Sequence, residues 1–192
     1  MMKLKFLAAL ATAILLSACA TTAKQPAEEN RLPLIESKLN LPEQINFDGK
    51  VYTRQYVTDY AAEYYLENEQ DFTWTNLITI NYIPSQDLNA YLTSLHNTHK
   101  QGNAQNKREY KINKINSSKA TAQELYYPNP KDENYNKYEA DLKVYDVKEC
   151  GIVAAQYGTN FKKTAKPKQI KKTVWQGKSK LFNQKYPKIE CR

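Results

Sequence analysis

Glycine is scarce in this chain, at five of 192 residues, and histidine is scarcer still, with only His96 and His99. Scarcity of this kind removes whole classes of chemistry. The chain has no glycine-rich phosphate cradle, no dinucleotide fingerprint, no G-x-S-x-G elbow and no H-E-x-x-H pair. Beyond residue 18 the serines are Ser37, Ser85, Ser94, Ser117, Ser118 and Ser179, and none stands in a recognisable turn beside a base. Long apolar runs are missing too. Phe6 to Leu16 is a run of eleven residues, short of the roughly 20 that a membrane-spanning helix needs.

That short run has the layout of an export signal, with Lys3 and Lys5 ahead of it and a small-residue cleavage site behind it. It ends in Leu16-Ser17-Ala18-Cys19, which resembles the lipobox of bacterial lipoproteins. The resemblance implies cleavage before Cys19 and attachment of diacylglycerol, usually with an N-acyl chain, to that cysteine. The alternative is an ordinary secretory signal with a cysteine at its cut site. Two or more chains anchor a protein stably, each buried CH₂ contributing about 0.8 kcal/mol. On this reading residues 1–18 are removed, residues 19–42 are a lipidated tether, and residues 43–192 are a single domain. Within the tether, Leu32, Leu34, Ile35 and Leu39 suit a short docking turn. Ala20, not Asp, follows Cys19, and under enteric-type sorting the resemblance favours the outer membrane of the cell envelope.

Charge is unevenly placed. Phe161 to Arg192 holds eleven Lys/Arg and one acid, Glu190, while residues 19–160 carry a small acidic excess. With Cys19 assigned to the lipid, Cys150 and Cys191 remain. In an oxidising compartment an even pair reads as a disulfide, which would close a loop of about 40 residues and contribute about 4 kcal/mol by loop entropy. Two free thiols are the alternative. Tyrosine is abundant, at 15 residues, and suggests a sheet with a wet face, because tyrosine packs its ring and keeps its hydroxyl hydrated.

Along the chain, Asp48-Gly49 signals a turn and Val51–Thr58 a strand with a continuation through Tyr60, Tyr64 and Tyr65. Phe72–Ile83 reads as a strand, with Trp74, Leu77 or Ile78, Ile80 and Tyr82 on its buried face. Ser85 suits an N-cap, and Leu88, Tyr91, Leu92, Leu95 and His99 form one helical face that ends near Gly102. Tyr110–Ile115 and Thr121–Tyr127 suit paired strands. Tyr138–Val147 pairs with Gly151–Tyr157, which Gly158 ends. A last helix starts at Pro167, with Ile170, Val174 and Leu181 as its apolar stripe and Trp175 and Phe182 beside it. The expected fold is α+β, a single antiparallel sheet of about five to seven strands with two main helices packed on it. At coarse level this order looks like the PsbP/Mog1-like sandwich found in some bacterial lipoproteins. The Trp74–Thr79 run resembles small exported proteins of gamma-proteobacteria.

Candidate sites are few. His96 and His99 stand at i, i+3 and lack a third ligand, so no metal and no cofactor is expected. The acid pairs Glu63/Glu67 and Glu139/Asp141 mimic a glycosidase couple, but read better as solvated faces, and no catalytic residue is assigned. The feature with a charge-based mechanism is the basic C-terminal helix, in which Lys168, Lys171, Lys172, Trp175 and Lys178 suit binding to an acidic protein or to lipopolysaccharide phosphates. Nucleic acid is not an expected partner. The leading expectation is a non-catalytic binding or assembly accessory. The alternatives are a small envelope hydrolase and a solute-binding module with a Tyr/Trp-lined pocket. The intact mass of the membrane-extracted protein checks the N-terminal reading. It should begin at Cys19 and carry the acyl chains, and an unlipidated mass would overturn that reading.

Overall fold

The computed structural model describes residues 31–102 and 107–192. The signal segment, Cys19 and the tether as far as residue 30 lie outside the described residues. Leu32–Arg192 forms a compact unit. It contains α1 (Leu34–Lys38), β1 (Gln44–Phe47), β2 (Lys50–Val57), β3 (Ala61–Tyr65), β4 (Asn76–Ile83) and α2 (Leu88–Gly102). These are followed by β5 (Arg108–Lys114), β6 (Lys119–Tyr126), β7 (Tyr138–Lys148) and β8 (Gly151–Phe161). Then come α3 (Pro167–Lys171), a π-helical turn (Lys172–Gln176) and α4 (Ser179–Lys185).

The fold is α+β, built on one antiparallel sheet in the order β1-β2-β3-β4-β8-β7-β6-β5. The eight strands exceed the expected five to seven for two local reasons. Ile45 and Phe47 form β1, a short hairpin partner to β2 across the Asp48-Gly49 turn. The chain also breaks at Thr58–Tyr60, so that Ala61–Tyr65 is a strand of its own, paired with β2 and β4.

Alternation along the strands divides the sheet into two chemically different faces. On one face Tyr64, Ile78, Ile80, Leu142, Val144, Val153, Ala155 and Tyr157 meet Ile170, Val174 and Phe182 of the C-terminal segment in the main core. On the other, α2 covers only one end of the sheet. There Leu88 and Leu92 pack on Ala120, Ala122, Tyr145, Ile152 and Ala154. The other end of that face is left open.

Several expectations change. Phe72 and Trp74 stand in the β3–β4 connection, and β4 starts only at Asn76. The N-terminus of α2 is capped by Asp87, whose Oδ1 accepts from Ala90 N at 2.9 Å, while Ser85 Oγ accepts from Asp87 N at 3.1 Å. Gly158 does not end β8, which runs on to Phe161. The last helix is interrupted by its π-helical turn, so Phe182 takes the fully buried position expected of Leu181. A Cβ at Gly177, just after that turn, would lie 2.5 Å from the Thr173 carbonyl oxygen. Several of the tyrosines expected at a wet face are internal, while Tyr56, Tyr60 and Tyr135 are exposed. Tyr52, Tyr64, Tyr65, Tyr145 and Tyr157 are at most 1% exposed. Some of the buried hydroxyls find acceptors, Tyr64 at Pro42 O (3.0 Å) and Tyr157 at Asn76 Oδ1 (2.6 Å), whereas Tyr52 OH has none among the described residues.

The docking turn is α1. Ile35 and Leu39 are fully buried, whereas Leu32 is exposed. Leu39 pairs as an isolated antiparallel bridge with Cys191, and Arg192 N donates to Lys38 O at 2.9 Å. A disulfide joins Cys191 to Cys150 at the β7–β8 turn. The segment before residue 43 is therefore partly integral to the fold. Replacing Ile35 by Ala should cost about 2–5 kcal/mol in urea titration, and a loss below about 0.5 kcal/mol would show α1 to be peripheral.

Candidate functional site

The open end of the second face forms a cavity of about 680 Å³, within the range typical of small-molecule sites. Its floor is made by the register of the central strands. Lys143 lies beside Gln156, which lies beside Thr79 and then Glu63, while Asp141 lies between Glu124 and Gly158. Gly158 has a reason to be glycine in mid-strand, because a Cβ there would come within 3.1 Å of Asp141 Oδ1 and 3.2 Å of the Trp74 ring. The two side chains share the space that the missing methyl leaves.

The rim is aromatic. The β3–β4 and β6–β7 connections meet through Phe72 and Tyr135, whose ring centroids are 5.9 Å apart in an edge-to-face contact. Lys137 Nζ also donates to Phe72 O at 3.2 Å. Phe72 has φ 59°, unusual for a bulky residue, and its N–H donates to Asp71 Oδ1 at 2.8 Å.

Beneath this rim lies a buried charge network. Glu124 is 1% exposed. Its carboxylate accepts from Lys143 Nζ at 2.9 Å, from His99 Nε2 at 3.2 Å and from the Tyr126 hydroxyl. Arg108 Nη1 lies 3.1 Å from His99 Nδ1. Arginine can only donate, so Nδ1 accepts and the proton sits on Nε2, facing Glu124. His99 is thus a neutral link between a guanidinium and a carboxylate. Burial pushes Glu124 upward, but Lys143, His99 and Tyr126 outweigh it and hold the carboxyl at about 2. Burial likewise disfavours the Lys143 ammonium, and Glu124 overrides it, raising Lys143 well above its ordinary value.

Two other carboxyls are moved the opposite way. Asp141 is 1% exposed and pushed well up, by burial first and by Glu139 next. Glu139, beside Asp141 on the same strand face, is also raised, by burial first. Asp141 Oδ1 has no hydrogen-bond partner among the described residues. Glu63 is also raised by burial, against the lowering effect of the Tyr65 hydroxyl that donates to it. The reading of Glu139/Asp141 as a solvated face therefore fails at Asp141, which is buried, while Glu139 is half-buried. The strand's polar side is covered by α2 and the two connecting loops, and Asp141 is among the most buried polar residues described. Of the Glu63/Glu67 pair, Glu63 lines the cavity and Glu67 is exposed in the turn after β3.

The basic helix lies on the opposite face. Lys171 pairs with Glu109 at 2.7 Å, and Lys178 pairs with Asp48 at 2.7 Å and donates to Tyr157 OH at 3.1 Å. Trp175 is partly buried, its indole N–H donating to Glu124 O at 3.3 Å. Lys168 and Lys172 are exposed. The five residues do not form one surface site, since three of them pack or pair against the body of the domain. Of the histidines, His99 is in the network and His96 Nδ1 lies 3.0 Å from Tyr110 OH. Sequence reasoning passed over Trp74, Glu124 and Lys143. A detectable signal was the unbroken Glu-x-Asp-x-Lys alternation on a strand flanked by strong strands, which places charge in a sheet centre.

Comparison with known proteins adds a family. Residues 39–185 match a family of small bacterial proteins, and the chain belongs to it. No curated protein matches the sequence. Among solved structures, the chain is similar to the Ran-binding protein Mog1p of Saccharomyces cerevisiae at 10% identity and a TM-score of 0.45, over 75% of this chain and 93% of that one. It is similar to a mutant of protein Mog1 at 11% identity and 0.44, over 75% and 94%.

The network sets opposite signs for two substitutions. Glu124→Gln leaves Lys143 buried without its counter-ion and should cost about 3–5 kcal/mol. Asp141→Asn removes an uncompensated carboxyl and should leave stability unchanged or raised. Acid dependence follows the same logic. The Glu124 contribution, about 3 kcal/mol for its shift, is complete above its unfolded value of 4.5 and disappears as pH falls towards 2. The raised Glu139 and Asp141 act in the opposite sense and favour folding as pH falls from neutrality. Calorimetry of wild type and Glu124→Gln between pH 7 and 2 separates these effects. A variant that loses stability in parallel with wild type below pH 4.5 would refute the assignment to Glu124.

Proposed function

We propose that this protein is a lipoprotein of the bacterial envelope, anchored through Cys19 at the outer membrane, and that its domain is a non-catalytic binding module whose ligand site is the cavity under the Phe72–Tyr135 arch. The observation that carries this reading is Asp141. A carboxylate oxygen without a partner, at the floor of a preformed cavity, is a costly arrangement in a folded protein. A ligand that satisfies it accounts for the cost. The aromatic rim supplies apolar contact area, and Gln156 and Asn160 supply polar groups beside it. The groups most able to act as base or acid, His99 and Glu124, are committed to each other and to Arg108 and Lys143, which favours binding over turnover.

The exposed lysines favour a second surface for an acidic protein or lipopolysaccharide. Lys168, Lys172 and Lys180 are the ones to test, because Lys171 and Lys178 are paired internally. Charge reversal at Lys168 and Lys172 should weaken salt-sensitive capture of an anionic partner while leaving the cavity unaffected.

Fluorine NMR of the full-length protein labelled with 5-fluorotryptophan tests the cavity. Trp74 is at the site, and Trp175, on the other face, serves as a reference. Small-molecule fractions of envelope extract should shift the Trp74 resonance and not that of Trp175, and Asp141→Asn should abolish the shift. Unchanged Trp74 signal with every fraction would refute the proposal.

A further inference from the structure

The charge balance of the cavity floor points to the class of its ligand. Arg108 and Lys143 are the cations of the network, and both are already engaged. Lys143 Nζ bonds Glu124, and Arg108 reaches the same carboxylate through His99. Across the floor stand three further carboxyls, Glu63, Glu139 and Asp141. Glu63 takes a proton donor from Tyr65. Glu139 and Asp141 stand two residues apart on the same face of β7, and two neighbouring carboxyls in a desolvated site resist ionising together unless a positive charge joins them. Lys137 donates to the Phe72 carbonyl at the rim, and Lys107 stacks on the Tyr127 ring, 4.3 Å from its centroid. The floor thus holds more acidic groups than the cations paired with them, and among the described residues Asp141 Oδ1 is an acceptor there without a donor.

The geometry adds an apolar component. The six-membered ring of Trp74 and Asp141 Oδ1 both approach the same point above Gly158, at 3.2 and 3.1 Å from where a Cβ would be. A carboxylate beside an aromatic edge, with Phe72 and Tyr135 above, is the pairing that suits an ammonium carried on an organic body. The carboxylate takes the N–H donors and the rings take the adjacent methylenes or the charge itself. A bare metal ion fits poorly, since among the described residues no three acid, histidine or cysteine side chains are grouped to hold one. The cavity is also far larger than an ion.

We infer that the cavity binds an organic cation, a small amine whose ammonium donates to Asp141 Oδ1 and whose carbon skeleton lies against Trp74 beneath the Phe72–Tyr135 arch. This rests on the reading of the cavity as a ligand site, and it names the chemistry that fills it. A neutral ligand such as a sugar could use the same aromatic rim but would bring no positive charge to let Glu139 and Asp141 ionise together.

The test is a matched panel titrated into full-length protein carrying 5-fluorotryptophan. The probes are cadaverine, agmatine, choline and phenethylammonium, with phenethyl alcohol as neutral isostere, phenylacetate as anion, and methyl glucoside and N-acetylglucosamine as sugars. At least one cation should shift the Trp74 resonance with an affinity ten-fold or more above its neutral counterpart, and Asp141→Asn should reduce that affinity at least ten-fold. The variant's folding is checked by its unchanged Trp175 resonance. Binding of a sugar or the alcohol as tightly as the amines would overturn the cationic assignment while leaving the ligand site standing. No response at Trp74 to any probe would count against the assignment and, together with silent envelope extracts, against the site itself.

Discussion

The Glu124 carboxylate is the interaction on which the second face of the sheet depends. It joins four elements at one point, α2 through His99, β5 through Arg108 behind that histidine, β6 through its own backbone and Tyr126, and β7 through Lys143. An ion pair so deeply buried is seldom the most stable filling for its space. It does give α2 a fixed position, because the helix can lie on the sheet only where His99 meets its acceptor. The apolar contacts of Leu88 and Leu92 hold the helix down, and the histidine sets where it stops. With α2 covering only one end, the cavity at the other end follows.

The two faces therefore serve different ends. One is an ordinary apolar core, in which Ile170, Val174 and Phe182 close on the sheet. The other carries polar groups of a kind that folding alone would not select. Asp141 Oδ1 has no hydrogen-bond partner among the described residues, Gly158 leaves space beside it, and Phe72 is kept in a left-handed conformation at the rim. Unsatisfied polarity and a left-handed aromatic thus meet at the open end of that face.

Much of the architecture was legible from period and punctuation. Alternation in Tyr138–Val147 and the helical spacing of Leu88, Leu92 and His99 are local signals, and the structure contains both elements. Features that depended on distant coverage were not legible. Nothing near Asp141 or Glu139 in sequence says that α2 and two loops will bury that side of β7, so their alternation looked like a wet face. The tyrosines misled for the same reason, since acceptors such as Pro42 O and Asn76 Oδ1 come from elsewhere in the chain. The basic helix was visible as composition, but its pairings with Glu109 and Asp48 are tertiary, and they divert Lys171 and Lys178 from the surface role that their spacing suggested.

The stitch between Leu39 and Cys191 has a mechanical meaning. Tension on the chain from its N-terminal side enters the folded unit at α1, whose end is held by the bridge to Cys191 and by the Arg192–Lys38 hydrogen bond. From Cys191 the load passes covalently into the turn that joins β7 to the central strand β8. A pull at the leading end is thus borne by the middle of the sheet, and the edge hairpin β1–β2 is spared.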